Sequence, residues 1–181
     1  MNIIETILNG GVIVYPSDTI WGLGGDATNA QTAARIIEIK QRHPDKGMIV
    51  LVPDINMLRQ YVERIPDIAY ELMEKSLHPL TLIYPKGRHI PRPIAAPDGS
   101  VAIRVVRKGF AHDLIKASGK PLISTSANFS GQPAPVSFHE IDPRLLAMTD
   151  YVVTLHRQKI MSRPSRIIKL LPDGTYQIIR D

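Results

Sequence analysis

Residues 12–24 read VIVYPSDTIWGLG, a short apolar run followed by a polar segment and closely spaced glycines. The apolar run at 12–15 predicts a β-strand that ends at Pro16, because proline cannot donate a hydrogen bond within a sheet. Hydroxyl groups and a carboxylate follow at the end of that strand, where α/β proteins often bind ligands. Glycine also lets a backbone approach a ligand closely. A tight turn capped by Ser or Asp would give the same pattern, so a binding loop and a simple turn both remain open.

Helix and strand patterns alternate along the rest of the chain. Apolar residues at helical spacing predict helices at 30–40, 55–62, 67–75, 110–118 and near 142–148. Short apolar runs predict further strands at 48–52, 81–84, 101–106, 121–125, 151–155, 166–171 and 175–180. Pro172, Asp173 and Gly174 give a hairpin signal between the last two strands, and Gly119 is a C-terminal cap for the helix before it. This alternation predicts one α/β domain over residues 1–181 with a mixed sheet.

The composition excludes several classes of protein. The chain of 181 residues is 44% hydrophobic and 22% charged and has no cysteine, which excludes disulfide frameworks, thiolate metal sites and cysteine nucleophiles. The six histidines show no paired metal-ligand spacing, so we expect no protein-held metal. No apolar run approaches the ~18 residues that a membrane span needs, and the first residues lack the basic leader of a secretory signal. We therefore expect a cytoplasmic protein that does not enter a membrane.

The basic residues are unevenly distributed. The formal net charge is +5, and residues 75–112 carry seven Lys or Arg against one acid, Asp98. Residues 151–172 carry five Lys or Arg and no acid. A surface that combines these stretches would attract phosphate groups. The same stretches could equally form a solubilising surface, so the charge alone leaves the partner open.

Two cations leave the end of the helix predicted at 30–40. Lys40 and Arg42 lie two residues apart, and we expect both side chains to be exposed there. One cation is explained by the negative end of the helix dipole. A pair can also hold a polyphosphate or a carboxylate, since Arg binds such groups with two hydrogen bonds and Lys as a point charge. Both interpretations remain open.

A second polar segment, STSANFSG, occupies residues 124–131 and follows an apolar strand. Its hydroxyl and amide groups can donate hydrogen bonds to phosphates and orient a small ligand, or they can simply cap a loop. Arg104 lies within the apolar strand predicted at 101–106. An unpaired buried charge is costly, so we expect Arg104 to face solvent, a partner or a ligand.

Together these segments resemble the YrdC family of TsaC-type threonylcarbamoyl-AMP synthases, in a single-domain short form. The resemblance extends from about Gly10 to Arg180. It rests on VIVYPSDTIWGLGGDA, IIEIKQRHPDKGMIVLV, LTLIYP, VAIRV and KPLISTSANFSGQPAP. The family's most specific feature is a Lys-x-Arg followed much later by a Ser-x-Asn. Here these motifs are Lys40 with Arg42 and Ser126 with Asn128.

The resemblance implies a twisted mixed α/β sheet with flanking helices around a basic cleft, as in YrdC/RibB-like folds. It implies a nucleotidyltransferase that makes threonylcarbamoyl-AMP and pyrophosphate from L-threonine, bicarbonate or CO2, and ATP. Mg2+ is expected on the triphosphate without a dedicated set of protein ligands. Partner proteins would then transfer the threonylcarbamoyl group to the adenosine beside the anticodon of tRNA.

Two other functions compatible with the sequence remain open. Family members have also been described as double-stranded RNA binders, so the first alternative is a non-catalytic module that binds double-stranded RNA or tRNA in RNA or ribosome maturation. The second is a related carbamoyl-adenylate chemistry on a substrate other than threonine. The sequence gives no indication of the oligomeric state.

The resemblance also implies roles for individual residues. Lys40 and Arg42 would be the catalytic residues that hold the phosphates and the carbamate carboxylate. The other nucleotide-binding residues would be Ser100, Ser126, Asn128 and Arg180. The threonine-binding residues would be Ser17, Arg104, Ser124 and Ser165.

Three positions depart from the family pattern. Ser17 stands where the family usually has Thr, so a hydroxyl group is kept. His43 replaces the Pro that directly follows Lys-x-Arg, with Pro44 one place later. The tripeptide His78-Pro79-Leu80 replaces Pro-Gly-Pro. The last two changes bear on the direction of a loop and on the shape of the cleft floor.

Overall fold

The computed structural model describes residues 2–161 and 163–181. The strands of this part are β1 (Ile13–Pro16), β2 (Trp21–Gly24), β3 (Ile49–Val52), β4 (Leu80–Tyr84), β5 (Val101–Val105), β6 (Leu122–Ser126), β7 (Tyr151–Val152), β8 (Arg166–Leu170) and β9 (Tyr176–Arg180). The helices are α1 (Ile3–Leu8), α2 (Ala30–Lys40), α3 (Ile55–Tyr61), α4 (Asp67–Lys75), α5 (Phe110–Ser118) and α6 (Pro143–Ala147). Short 3₁₀ turns cover Pro44–Lys46 and Phe138–Glu140.

The described strands form one sheet in the order β7-β1-β2-β6-β3-β5-β4-β8-β9. The pairs β1–β7, β3–β5 and β4–β8 are parallel, and the other neighbouring pairs are antiparallel. This arrangement confirms the predicted fold class, a twisted mixed sheet with flanking helices.

The centre of the sheet is buried on both faces, as strand β3 demonstrates. Val50 and Val52 pack into one apolar cluster, and Leu51 between them packs into a second cluster on the opposite face. Successive side chains of a strand point to opposite faces, so a strand covered on both sides is a continuous apolar run. Burial of each such side chain stabilises the fold by about 1.5–3 kcal/mol.

Glycines of the opening stretch form a strand that the sequence did not predict. Trp21–Gly24 is β2, which forms an antiparallel hairpin with β1. A β-carbon on Gly24 would lie 1.9 Å from the carbonyl oxygen of Ile123, and one on Gly22 would lie 3.2 Å from the ring of Tyr15. Close packing within the sheet therefore accounts for these two glycines, without any ligand.

Helix α1 was also missed, and one predicted strand is shorter than expected. Asn2 and Glu5 form a capping box in which each side chain accepts a hydrogen bond from the other residue's amide, at 3.0 Å in both cases. Such a box compensates for the short length of α1. The strand predicted at 151–155 comprises only Tyr151–Val152. In the part of the chain described, no helix is long and apolar enough to cross a membrane.

Candidate functional site

An open cleft of about 350 Å³ lies over the middle of the sheet. Its floor follows from the strand register. Ile49 of β3 pairs with Ser124 on one side and with Ala102 on the other, and Ala102 pairs with Ile83. These four residues form one row across the sheet, and all of them line the cleft.

A second row lies two residues further along the strands, on the same face. Arg104 pairs with Thr81, Thr81 pairs with Ile167, and Ile167 pairs with Arg180. Arg104, Ile167 and Arg180 line the cleft. The sheet thus brings together two arginines that are far apart in the sequence.

The rest of the lining comes mostly from loops, with further residues of β6 and β9. The lining is completed by Thr19, Ile20, Arg42, Lys46, Gly47, Met48, Ile94, Ala96, Ser100, Thr125, Ser126, Pro164, Ser165 and Ile179. Three arginines and one lysine therefore face the cleft, whereas the described lining contains no Asp or Glu. Such a cavity attracts anions.

Arg104 is held by the turn between β1 and β2. It is buried, and its Nη2 donates to Asp18 Oδ1 at 3.0 Å and to Thr19 Oγ1 at 3.4 Å. Its Nε–H has no acceptor in the described part of the chain. A buried donor without a partner is costly. Arg104 also lines the cleft, so its charge faces any ligand that binds there.

Arg180 and Arg42 are fixed by backbone carbonyls. Arg180 donates from Nε and Nη2 to the carbonyl oxygen of Ser165, at 2.9 and 2.7 Å. Burial and the nearby positive charge of Arg104 lower the pKa of Arg180. Arg42 donates from Nη2 to the carbonyl oxygen of Gly47 at 2.8 Å, and burial lowers its pKa. An anion in the cleft would relieve the repulsion between Arg104 and Arg180.

Lys40 does not have the exposed position that the sequence predicted, and that expectation is wrong. Its side chain is only 2% exposed. Nζ donates to the carbonyl oxygens of Ser126 and Asn128, at 2.5 and 2.6 Å, and to Asn128 Oδ1 at 3.3 Å. Burial, aided by the charge of Arg42, lowers the pKa of Lys40 to about 7. Gln41 has a left-handed φ of 52°, so the helix ends between the two cations and only Arg42 lines the cleft.

The structure brings seven of the ten residues that the resemblance implied into the lining of one cleft: Arg42, Ser100, Arg104, Ser124, Ser126, Ser165 and Arg180. Ser17, Lys40 and Asn128 lie beside it. Ser17 Oγ accepts from the amides of Thr19 and Ile20 and so shapes the turn. Asn128 Nδ2 donates to the carbonyl oxygen of Gln132 at 2.6 Å.

Sequence reasoning missed Thr19, Lys46 and the apolar floor. Thr19 belongs to the hydroxyl-rich segment after β1, and its hydroxyl was a visible signal. The floor residues carry no polar group, and only the register reveals them. His43, one of the departures from the family pattern, caps the turn Pro44–Lys46 by accepting from the amide of Asp45 at 3.3 Å. This cap precedes Lys46 and Gly47, which line the cleft.

No group of three or more His, Asp or Glu among the described residues could hold a metal ion. The cleft instead combines arginines, hydroxyl groups and an apolar floor. Fold and site together define an α/β protein with a basic cleft for a small anionic ligand.

Comparison with known proteins identifies the family. A family model for Sua5, YciO and YrdC, described as "Telomere recombination", matches residues 5–181. The chain therefore belongs to the Sua5/YciO/YrdC family. It is 34% identical over 169 residues to a protein of Xanthomonas oryzae pv. oryzae named threonylcarbamoyl-AMP synthase, a match that covers 92% of this chain and 90% of that protein.

The solved structures that are similar to this chain include a Sua5 and a YciO. Sua5 of P. abyssi complexed with L-threonine has a TM-score of 0.86 and 28% identity, over 98% of this chain and 52% of that chain. This chain thus spans about half the length of that Sua5. YciO of E. coli has a TM-score of 0.81 and 27% identity, over 98% of this chain and 86% of that chain.

Proposed function

We propose that this protein is a threonylcarbamoyl-AMP synthase, a nucleotidyltransferase that uses L-threonine, bicarbonate or CO2, and ATP. The observation that carries the proposal is one cleft lined by Arg42, Arg104 and Arg180 together with serine hydroxyls. The relatives named for this activity, which match this chain over most of its length, support it. We take residues 1–181 as a single domain.

The nucleotide is assigned to Arg42 and Arg180, which both line the cleft. Arg42 would hold phosphate oxygens with two hydrogen bonds, as guanidinium groups do. Ser100, Ser126 and Asn128 would contact the rest of the nucleotide. Lys46, which also lines the cleft, adds a second cation near Arg42 and is assigned to the phosphates.

Threonine is assigned to Arg104. Its guanidinium group and its place in the lining of the cleft suit a carboxylate. Ser124 and Ser165 would complete this side of the pocket, and Ser17 would act by shaping the turn that presents Thr19. The L-threonine complex of the similar Sua5 supports a threonine site in this fold.

The proposed chemistry balances without a covalent enzyme intermediate. The neutral amine of threonine attacks the carbon of CO2 and loses a proton, which gives a carbamate. A carbamate oxygen then attacks the α-phosphorus of ATP, and the bond to pyrophosphate breaks. The arginines would stabilise the charge that develops on the phosphate oxygens and hold the reactants in line. Mg2+ carried on the triphosphate would neutralise part of that charge.

The product is an activated carbamoyl group, so a transfer reaction must consume it. We expect partner proteins to pass it to an adenosine of tRNA, and we expect the enzyme to act in the cytoplasm for that reason.

Pyrophosphate release from ATP in bicarbonate buffer, with and without L-threonine, tests the proposal. We expect release only when threonine is present, and an increased KM for threonine in Arg104→Gln. Release that is independent of threonine would indicate another acceptor and contradict the proposal. Absence of both release and ATP binding would favour the RNA-binding alternative.

A further inference from the structure

We propose that Lys40 is a positioning residue whose buried side chain fixes the loop 126–132, and that it does not bind the phosphates of ATP. The inference rests on the proposed function, because the loop continues directly from Ser126, the last residue of β6, which is assigned to the nucleotide. It revises the role of Lys40 that the family resemblance implied. It assigns direct contact with phosphate to Arg42 and Lys46.

The hydrogen bonds of Lys40 account for all of its donors. An ammonium group has three N–H donors and no acceptor. The acceptors around Nζ are the carbonyl oxygens of Ser126 and Asn128 and the side-chain oxygen of Asn128. No donor is left for a phosphate oxygen. The side chain is 2% exposed and is absent from the cleft lining, whereas Arg42, two residues away, is part of it.

The loop is also attached to its surroundings by its main chain. The amide of Ser130 donates to the carbonyl oxygen of Lys40 at 2.8 Å, and the amide of Ala127 donates to the carbonyl oxygen of Trp21 at 3.0 Å. Lys40 therefore holds the loop through its backbone and its side chain at once. The last carbonyl of a helix has no partner within the helix, and Ser130 supplies one here.

Loss of the ammonium would disturb the loop because of what remains behind. The carbonyl oxygens of Ser126 and Asn128 both lie within 2.6 Å of Nζ. Without the cation, the carbonyl oxygen of Ser126 would keep the amide of Asn128 as a donor, at 2.9 Å. The carbonyl oxygen of Asn128 would lose its bond to Nζ in a buried place, which is costly. The loop after β6 would open to let water reach this oxygen, and Ser126, which remains paired with Gly22 in the sheet, would be held less firmly at the cleft.

Two measurements below pH 7, where the ammonium is charged, separate positioning from direct binding. The first is hydrogen exchange of the amides of Ala127 and Ser130 in the absence of nucleotide. The second is the affinity for ATP and for AMP, measured by calorimetry. Both are made on Lys40→Met, on Arg42→Met as the matched control, and on the wild type.

We expect Lys40→Met to lower the protection of both amides at least about tenfold. We also expect it to lower the affinities for ATP and for AMP by the same factor, about tenfold or more. The reason is that Ser126 is assigned to the part of the nucleotide that ATP and AMP share, and not to the terminal phosphates. Arg42→Met should leave the amides protected and weaken ATP much more than AMP. Unchanged protection in Lys40→Met, together with a loss confined to ATP, would overturn the proposal.

A measurement on the wild type covers the case in which Lys40→Met does not fold. The ¹⁵N resonance of the Lys40 ammonium should not change on addition of ATP if its three acceptors are retained. A large change of this resonance that is greater with ATP than with AMP would contradict the proposal. If the wild type binds no nucleotide, the proposed function fails, and the hydrogen exchange of the loop in Lys40→Met alone decides the role of Lys40.

Discussion

Asp18 Oδ1 lies 3.0 Å from Nη2 of Arg104, across 86 residues of sequence. The Arg104 side chain is 3% exposed and that of Asp18 is 23% exposed. The pair joins the turn after β1 to strand β5 in the middle of the sheet. The carboxylate of Asp18 compensates the buried charge of Arg104 and fixes the Arg104 side chain in the wall of the cleft.

Asp18→Asn should therefore affect both stability and threonine binding. Removal of one partner of a buried ion pair leaves the other charge uncompensated. We expect the free energy of unfolding to fall by about 1–3 kcal/mol and the KM for threonine to rise, because Arg104 loses its fixed orientation. Urea unfolding and steady-state pyrophosphate release measure the two effects.

Glu71→Gln is the matched control for this ion pair. Glu71 pairs with Lys75 at 3.2 Å on the exposed surface of α4, and such pairs contribute less than about 1 kcal/mol. Equal losses of stability in Asp18→Asn and Glu71→Gln would contradict the importance assigned to the buried pair.

Arg42→Ala should abolish most of the activity and leave the fold intact. Arg42 is half-buried, and its side chain donates to the carbonyl oxygens of Lys46 and Gly47 in its own loop. We expect kcat/KM for ATP to fall at least about 100-fold, as for other groups that stabilise developing charge. The midpoint of thermal unfolding should stay close to that of the wild type. Lys75→Ala, an exposed cation outside the cleft lining, should retain full activity, and an equal loss in both variants would refute the role of Arg42.

Burial of Lys40 predicts a specific dependence of stability on pH. Its pKa falls from 10.5 to about 7 in the folded protein. Between these values the unfolded chain binds a proton that the folded chain lacks, so the free energy of unfolding increases with pH. The slope for one group is at most about 1.4 kcal/mol per pH unit.

The contribution of Lys40 can be isolated by comparing the wild type with Lys40→Met in urea at pH 7 and pH 9. Burial raises the pKa of Tyr15 to about 12, so this tyrosine does not titrate in the folded state in that window. We expect the wild type to gain stability over this interval relative to the variant. A difference that does not change with pH would mean that the ammonium keeps an ordinary pKa.

Substitution by alanine should destabilise the protein more at Gly24 in β2 than at Gly174 in the hairpin between β8 and β9. A β-carbon on Gly24 would meet the carbonyl oxygen of Ile123 at 1.9 Å, so β2 and β6 would have to separate. We expect Gly24→Ala to cost at least about 3 kcal/mol of unfolding free energy. A β-carbon on Gly174 meets nothing within 4 Å, and only its φ of +86° opposes the change. We expect Gly174→Ala to cost about 1 kcal/mol of unfolding free energy. Denaturation of both variants tests this order, and a smaller cost at Gly24 would contradict the packing.

The helices that local signals define were predictable from the sequence. The bounds of α2, α4 and α5 agree with the prediction to the residue. Gly119 has a φ of 67° and caps α5 as its position indicated. Strand β2 could not be predicted in this way, because glycine is a poor strand residue and its place there depends on contacts with Tyr15 and Ile123.

The site was predictable in its polar residues and not in its geometry. Of the residues that line the cleft, Arg42 was singled out as one of two cations at a helix end, Arg104 as a charge within an apolar strand, and Ser126 as part of a hydroxyl-rich segment. Nothing local separates Lys40 from Arg42, since the direction of each depends on the left-handed residue between them and on a loop 86 residues away. The apolar floor around Ala102 depends on strand register, which only the assembled sheet defines.

The most direct test of the proposed function is mass spectrometry of the product formed from ATP, L-threonine and ¹³C-labelled bicarbonate. The account predicts a compound in which one labelled carbon joins the threonine nitrogen to AMP, formed together with pyrophosphate. It also predicts that this compound is absent when threonine is omitted or when Arg42→Ala replaces the wild type. Pyrophosphate release without incorporation of threonine and label would contradict the account.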